Sequence, residues 1–159
     1  MTASQRLAAL GLHLPDVPAP AGAYVPARVH GGLVYTAGQL PMFEGRLLAT
    51  GKVGDGPALV SPDEAKALAR RCALNAIAAA AAAAGGVDAL AGVVKVTGFV
   101  ASVPEFAGQP AVINGASELL GDVFGEVGRH ARSAVGVAVL PLDSPVEVEL
   151  VFSVREPGD

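Results

Sequence analysis

Two β-rich runs near the end of the chain constrain its fold more than any other feature. Residues 135–139 and 146–154 are rich in valine and flank a connection that contains two prolines, so they predict a strand, a turn and a second strand. In the second run the even-numbered positions from 146 to 152 are apolar. The opposite face of that strand carries Glu147, Glu149, Val151 and Ser153. Apolar residues on both faces predict a sheet that is covered on both sides.

Two long helices are predicted between the strands. Ser61 can cap the first helix and Pro62 suits its first turn, and an alanine-rich run continues this helix to about Ala84. Two glycines then end it. Pro110 begins the second helix, which has an apolar face, and the glycines that start at Gly125 end it.

The N-terminal part predicts a short helix and a proline-rich connector. Ser4 can cap this helix and Gly11 can end it, and the prolines that follow lack the backbone donor a longer helix would need. We therefore divide the chain into an N-terminal segment, residues 1–20, and a single folded domain, residues 21–159.

Three further strands complete the predicted sheet. They lie at residues 24–29, 33–36 and 91–100, with Gly31 and Gly32 forming a hairpin turn between the first two. The resulting order of elements indicates an α+β fold, a mixed β-sheet with two main helices on one face. Two helices cover only one face of a sheet, so a second copy of the chain is the simplest cover for the other.

The charge and the histidine positions limit the possible partners. The chain has a net charge of -4 and no Lys/Arg cluster interleaved with aromatic residues, so nucleic acid is not expected as its main partner. His13, His30 and His130 lack the close spacing of a metal motif, and we expect no metal site.

The cysteine content and the hydropathy pattern bear on location. Cys72 is the only cysteine, which excludes an internal disulfide and predicts a reducing, cytoplasmic compartment. Its helical surroundings predict a buried small hydrophobe and not a nucleophile. The longest apolar run, residues 76–84, is too short to span a bilayer, and the first residues do not form a secretory signal.

Three motifs occur in the order that is found in one protein family. The C-terminal motif is A-R-S-A-V-G-V-A-V-L-P at residues 131–141, followed by P-V-E-V-E at 145–149. An earlier motif is Y-T-A-G-Q-L-P at 35–41, and the segment 99–114 lies between them. Together they resemble the RidA/YjgF family of reactive intermediate deaminases over about residues 20–154.

This resemblance implies a fold, an assembly and a reaction. The fold is a chorismate-mutase-like mixed sheet, and the assembly is a homotrimer with clefts at the subunit interfaces. The reaction is the hydrolysis of enamines and imines, such as 2-aminoacrylate in its imine form, to a 2-oxo acid and ammonia. The resemblance implies a small substrate that bears a carboxylate, and it implies neither a metal nor an organic cofactor.

The resemblance also assigns roles to individual residues. Arg132 would hold the substrate carboxylate, and Glu147 would position or activate the attacking water. The backbone N–H of Ala134 would help to orient the substrate, while further cleft positions are Tyr24, Gly38 and Asn114. The sequence predicts Arg132 just before one strand and Glu147 near the start of the next. It leaves open whether a curved sheet or a neighbouring subunit brings the two together.

Other functions remain open at this stage. A non-catalytic trimer could use the same cleft to bind a small carboxylate or a protein partner, and a chorismate mutase is a weaker third hypothesis because fold alone does not specify function. Ala37 stands where many deaminases have a hydroxyl residue before Gly-Gln. By pattern alone, an arginine and a glutamate such as Arg132 and Glu147 are more commonly solvated surface charges.

Overall fold

A five-stranded sheet forms the centre of the structure, a computed structural model that describes residues 1–20 and 22–156. In chain order the elements are helix α1 (Ala3–Ala9), strands β1 (Ala27–His30), β2 (Leu33–Thr36), β3 (Met42–Phe43) and β4 (Arg46–Leu47), helix α2 (Pro62–Ala84), strand β5 (Leu90–Ala101), helix α3 (Gln109–Phe124) and strands β6 (Ala131–Val137) and β7 (Val146–Val154). The predicted domain boundary at residue 21 and the last three residues of the predicted domain lie outside the described residues.

The sheet is mixed, with the strand order β1-β2-β7-β5-β6. Strands β5 and β6 are parallel, whereas the other neighbouring pairs are antiparallel. Strands β3 and β4 form a separate two-stranded hairpin. The α+β class and the mixed sheet that the sequence predicted are confirmed.

Helices α2 and α3 pack together against one face of the sheet. The Ser61 hydroxyl caps α2 by accepting the Glu64 N–H at 3.1 Å, and Gly85 ends the helix in the left-handed region with φ 92°. A Cβ at Gly115 of α3 would overlap the backbone oxygen of Lys66 in α2. The two helices are therefore in backbone contact, which only small residues allow.

The apolar character of α2 reflects its place in the core. By length and composition α2 could cross a membrane, but 61% of its most apolar window is buried inside the protein. Its residues pack on the sheet together with Val96, Val148 and Phe152, whose side chains are fully buried. A long apolar helix that is mostly covered by its own chain is typical of a core helix.

Helix α1 is capped by a residue other than the predicted one. The Thr2 hydroxyl accepts the Gln5 N–H, and the Gln5 side chain accepts the Thr2 N–H, so Thr2 is the N-cap. The prediction of Ser4 was wrong because its hydroxyl instead lies 2.6 Å from a carboxylate oxygen of Asp88. Leu7 of α1 is buried in the main core.

Two strand boundaries also differ from the prediction. Strand β1 begins at Ala27, so Tyr24 precedes it. Strand β6 begins at Ala131, and Arg132 therefore lies inside the strand and not before it. Its parallel pairing with β5 sets this range, since Val96 stands opposite Arg132, whereas the valine pattern predicted a later start.

The face of the sheet away from α2 and α3, which we call the open face, is covered by no helix from the described part of the chain. It is formed by Tyr35, Lys95, Thr97, Phe99, Ser133, Val135, Glu147, Glu149 and Val151, which stand opposite one another in the strand register. Tyr35 and Val135 are 45% and 44% exposed. In a single chain, large apolar side chains on this face therefore contact solvent.

Candidate functional site

Arg132 is held by one side of helix α3. Its Nη1 donates to Asn114 Oδ1 at 2.7 Å and to Ser117 Oγ at 3.2 Å, and its Nη2 donates to the Pro110 carbonyl at 3.3 Å. Positions 110, 114 and 117 are spaced by four and three residues, so they line one stripe of a helix. The half-buried arginine therefore rests against a rigid element through three hydrogen bonds.

These contacts leave part of the guanidinium without a partner. An arginine side chain has five N–H donors, and three of them are used here. Among the described residues, no acceptor forms a hydrogen bond with the Nε–H or the second Nη2–H of Arg132. These two atoms belong to a planar fork that matches the two oxygens of a carboxylate.

The contacts of Arg132 extend to a histidine that sequence reasoning did not assign to the site. Ser117 Oγ lies 2.8 Å from His130 Nε2, and His130 Nδ1 lies 2.7 Å from the Gly128 carbonyl. Ser117 is on α3 and His130 directly precedes β6, so only the fold brings them to Arg132. The spacing of Asn114 and Ser117 on one helical stripe was the available signal for the serine.

Glu147 lies on the open face of β7, next to Gly38. The segment after β2 runs along β7, because Gln39 and Val148 exchange backbone hydrogen bonds of 2.8 and 3.0 Å. A Cβ at Gly38 would lie 2.8 Å from the Glu147 carboxyl carbon and closer still to Oε1. The absence of a side chain at Gly38 thus makes room for the carboxylate.

The environment of Glu147 favours its neutral form. Partial burial raises the pKa of the Glu147 carboxyl above its ordinary value, and the negative charge of Glu149 raises it further. A carboxylate with a raised pKa is a stronger proton acceptor, which is the property that a general base requires near neutral pH.

Within one chain the sheet separates Arg132 from Glu147. Strand β5 lies between β6 and β7, and Arg132 stands in register with Val96 and so with the helix-covered face. Glu147 pairs with Phe99, on the open face and three residues further along β5. The two side chains that the sequence assigned to one cleft therefore point to opposite sides of the sheet.

The remaining predicted residues divide between these two positions or lie apart from both. Asn114 contacts Arg132, and Ala134 lies two residues further along the same face of β6. Gly38 contacts the Glu147 position. Tyr24 is 55% exposed and precedes β1, at the sheet edge opposite β6.

Cys72 is buried in the core and is not one of the exposed candidate site residues. Its side chain is fully buried, as the sequence predicted, and burial raises the pKa of its thiol well above the ordinary value, with a further contribution from the charge of Glu147. Between residues 1–20 and 22–156, no group of three His, Cys, Asp or Glu side chains is placed to hold a metal ion.

The fold and these motifs are shared with known proteins. The family model described as "YjgF/chorismate_mutase-like, putative endoribonuclease" matches residues 4–154. The chain belongs to this family. The resemblance to RidA/YjgF proteins that the motifs indicated is thereby confirmed. Protein TCP17 of Trypanosoma cruzi is 45% identical over 160 residues, which cover 98% of this chain and 98% of that protein.

Two solved structures are similar to this chain in sequence and fold. The protein Atu1372 of Agrobacterium tumefaciens, of unknown function, is 45% identical with a TM-score of 0.86, covering 96% of this chain and 92% of its own. TdcF of E. coli, solved with bound serine, is 27% identical with a TM-score of 0.62, covering 88% of this chain and 94% of its own.

Proposed function

We propose that the protein hydrolyses small 2-imino acids, and the enamines from which they form, to 2-oxo acids and ammonia. The observation that carries this proposal is the geometry of Arg132. Its guanidinium is fixed by Asn114, Ser117 and Pro110 and retains two donors that no described residue engages. A rigid arginine with two available donors is a binding site for a planar carboxylate.

The reaction needs a proton acceptor and a water molecule in addition to this anchor. Glu147 accepts a proton from water as the oxygen adds to the carbon of the C=N bond. Glu147 returns this proton to the imine nitrogen, which gives a neutral amino alcohol. Glu147 then takes the hydroxyl proton as the C–N bond breaks and the C=O bond forms, and it passes that proton to the leaving nitrogen, so ammonia and a 2-oxo acid result. The raised pKa of Glu147 suits this exchange, since the same group accepts and returns the proton.

We propose that the site is completed in a homotrimer, at the interface of two subunits. Support comes from the positions of Arg132 and Glu147 on opposite sides of the sheet of one chain. Support also comes from the exposed Tyr35 and Val135, large side chains on an open face that a second subunit could cover. A second subunit on that face would cover them and place its own arginine near Glu147.

A relative of the chain provides independent support for the ligand class. TdcF of E. coli was solved with bound serine, an amino acid that has a carboxylate and a nitrogen on the adjacent carbon. A 2-imino acid has the same two groups in a planar arrangement. A site that binds one of these molecules needs only modest changes to bind the other.

The test generates 2-aminoacrylate in situ and measures the appearance of pyruvate with and without the protein. Arg132→Ala should lower catalytic efficiency by about ten- to more than a hundredfold, since a charged hydrogen bond contributes roughly 1.5–3 kcal/mol. Arg132→Lys should also lose activity, because it keeps the charge but not the fork. Arg129→Ala is the matched control, since the Arg129 side chain is highly exposed and its ion pair with Glu126 lies on the surface.

The outcomes separate the proposed enzyme from the other hypotheses. Pyruvate formation that depends on Arg132 supports the deaminase. Binding of a 2-oxo acid without acceleration would indicate a non-catalytic carboxylate-binding protein and would contradict the proposed reaction. An RNA substrate in a parallel assay addresses the endoribonuclease activity that the family description mentions.

A further inference from the structure

Ser117 and His130 form a hydrogen-bonded chain behind Arg132. Ser117 Oγ lies 3.2 Å from Arg132 Nη1 and 2.8 Å from His130 Nε2, and His130 Nδ1 lies 2.7 Å from the Gly128 carbonyl. These hydrogen bonds thus link the guanidinium to the turn that joins α3 to β6. None of these contacts is needed to fold α3, whose backbone is already hydrogen-bonded.

The direction of each hydrogen bond follows from the chemistry of the end groups. The Gly128 carbonyl can only accept, so His130 Nδ1 carries a proton, and in the uncharged form of the imidazole Nε2 is then an acceptor. Ser117 therefore donates its single hydroxyl hydrogen to His130. Its lone pairs then face Arg132, which has only donors.

This polarity has a consequence for the guanidinium. Both hydrogens of Nη1 are used, one by Asn114 and one by Ser117, so the plane of the fork is fixed about two bonds at once. Without Ser117, the guanidinium would keep the Asn114 bond and the longer Pro110 bond at 3.3 Å, and one Nη1 hydrogen would lose its acceptor. Ser117 therefore restricts, together with Asn114 and Pro110, the direction of the Nε–H and of the remaining Nη2–H.

We propose that Ser117 and His130 are positioning residues that orient the guanidinium of Arg132 for a substrate carboxylate. The inference rests on the proposed function for its substrate, but the orientation itself can be measured without one. Neither residue touches the substrate. His130 acts by taking the Ser117 hydrogen, and Ser117 acts by presenting an acceptor to Arg132.

The experiment compares three variants with a control on the same helix. Ser117→Ala removes the acceptor, and Ser117→Thr restores a hydroxyl. His130→Asn keeps a donor toward Gly128 but has no atom at the Nε2 position. Glu118→Gln is the control, because it changes the neighbouring residue and removes only a surface ion pair with Lys66.

Two readouts are taken on each folded protein. The first is the NMR spectrum of the Arg132 side chain, in which slow rotation about the Nε–Cζ bond gives separate Nη signals. The second is the kinetics of imine hydrolysis, together with the binding of pyruvate. Ser117→Ala should merge the Nη signals and raise KM about three- to tenfold with kcat nearly unchanged, since one hydrogen bond to the anchor is lost. His130→Asn should act in the same direction with a smaller effect, and Ser117→Thr should restore both readouts.

The two readouts distinguish failure of this inference from failure of the proposed function. Separate Nη signals in Ser117→Ala, equal to those of the wild type, would overturn the positioning role whatever the activity. Merged Nη signals in a protein whose wild type neither binds pyruvate nor hydrolyses imines would support the positioning role and overturn the proposed function. An equal loss in Glu118→Gln would show a general disturbance of α3 and would also overturn the positioning role.

Discussion

Gly38→Ala should reduce activity with little change in stability. The backbone at Gly38 is outside the left-handed region, so an alanine is allowed there without conformational strain. The new Cβ would lie 2.8 Å from the Glu147 carboxyl carbon and closer to Oε1, whereas ordinary contact begins at 3.4 Å. The carboxylate must therefore move, and it can do so because it is the end of a flexible side chain.

The size of each effect follows from this geometry. Moving Glu147 away from its rotamer costs about 0.5–1.5 kcal/mol, while replacing a glycine by alanine stabilises by about 0.4–1 kcal/mol through the unfolded chain. The net change in the free energy of unfolding is then within about 1 kcal/mol of zero. A displacement of about 1 Å in a catalytic group costs on the order of a hundredfold in rate, which corresponds to roughly 2.7 kcal/mol.

The measurements are kcat/KM for imine hydrolysis and the free energy of unfolding by urea. Gly121→Ala is the matched control, since among the described residues no atom beyond the adjoining helix backbone lies within 4 Å of a Cβ at that position on α3. The change should stabilise the helix without affecting activity. Wild-type activity in folded Gly38→Ala would refute the reasoning, because it would mean that the place of the Glu147 carboxylate does not matter.

Three further predictions follow from the same contacts. Gly115→Ala should unfold the protein or lower the free energy of unfolding by more than about 3 kcal/mol, because its Cβ would overlap a backbone oxygen of α2 that cannot move away. Circular dichroism during urea unfolding measures this change. Activity, measured as a pH–rate profile, should fall as the pH drops through the raised pKa of Glu147, since only the ionised carboxylate accepts a proton. Glu149→Gln should shift this fall in activity to lower pH, because it removes the neighbouring negative charge that raises the pKa. Val151→Asp should convert the assembly to monomers in light scattering, and a native protein that is already monomeric at micromolar concentration would contradict the trimer.

Local signals in the sequence predicted the two main helices well. Ser61, Pro62 and Gly85 act at the positions where the sequence placed them, because capping and left-handed C-caps depend on neighbouring residues only. The end of α3 at Gly125 has the same local origin. The cap of α1 was mispredicted because a distant carboxylate, Asp88, engages the Ser4 hydroxyl, and no local pattern contains that information.

The candidate site was predictable by residue type but not by arrangement. Arg132 and Glu147 came from a motif that is continuous in sequence, whereas their separation depends on β5, which is inserted between β6 and β7. Ser117 was missed although it shares a helical stripe with Asn114, and His130 was missed because an isolated histidine carries no pattern of its own. Their role depends on the packing of α3 against the start of β6.

The placement of apolar residues in strand β6 is not explained by the core of a single subunit. Alternation predicts that the larger apolar residues of a strand face its core, yet in β6 Val135 faces the open side and is 44% exposed. The helix-covered side instead has Ala134 and Gly136, and a Cβ at Gly136 would lie 2.8 Å from Gln109 Nε2, so a larger residue there would have to displace that side chain. This inversion is expected if the open face becomes a second core when another subunit covers it. The sequence would then encode burial in the assembly, which is the arrangement that we propose for completing the site.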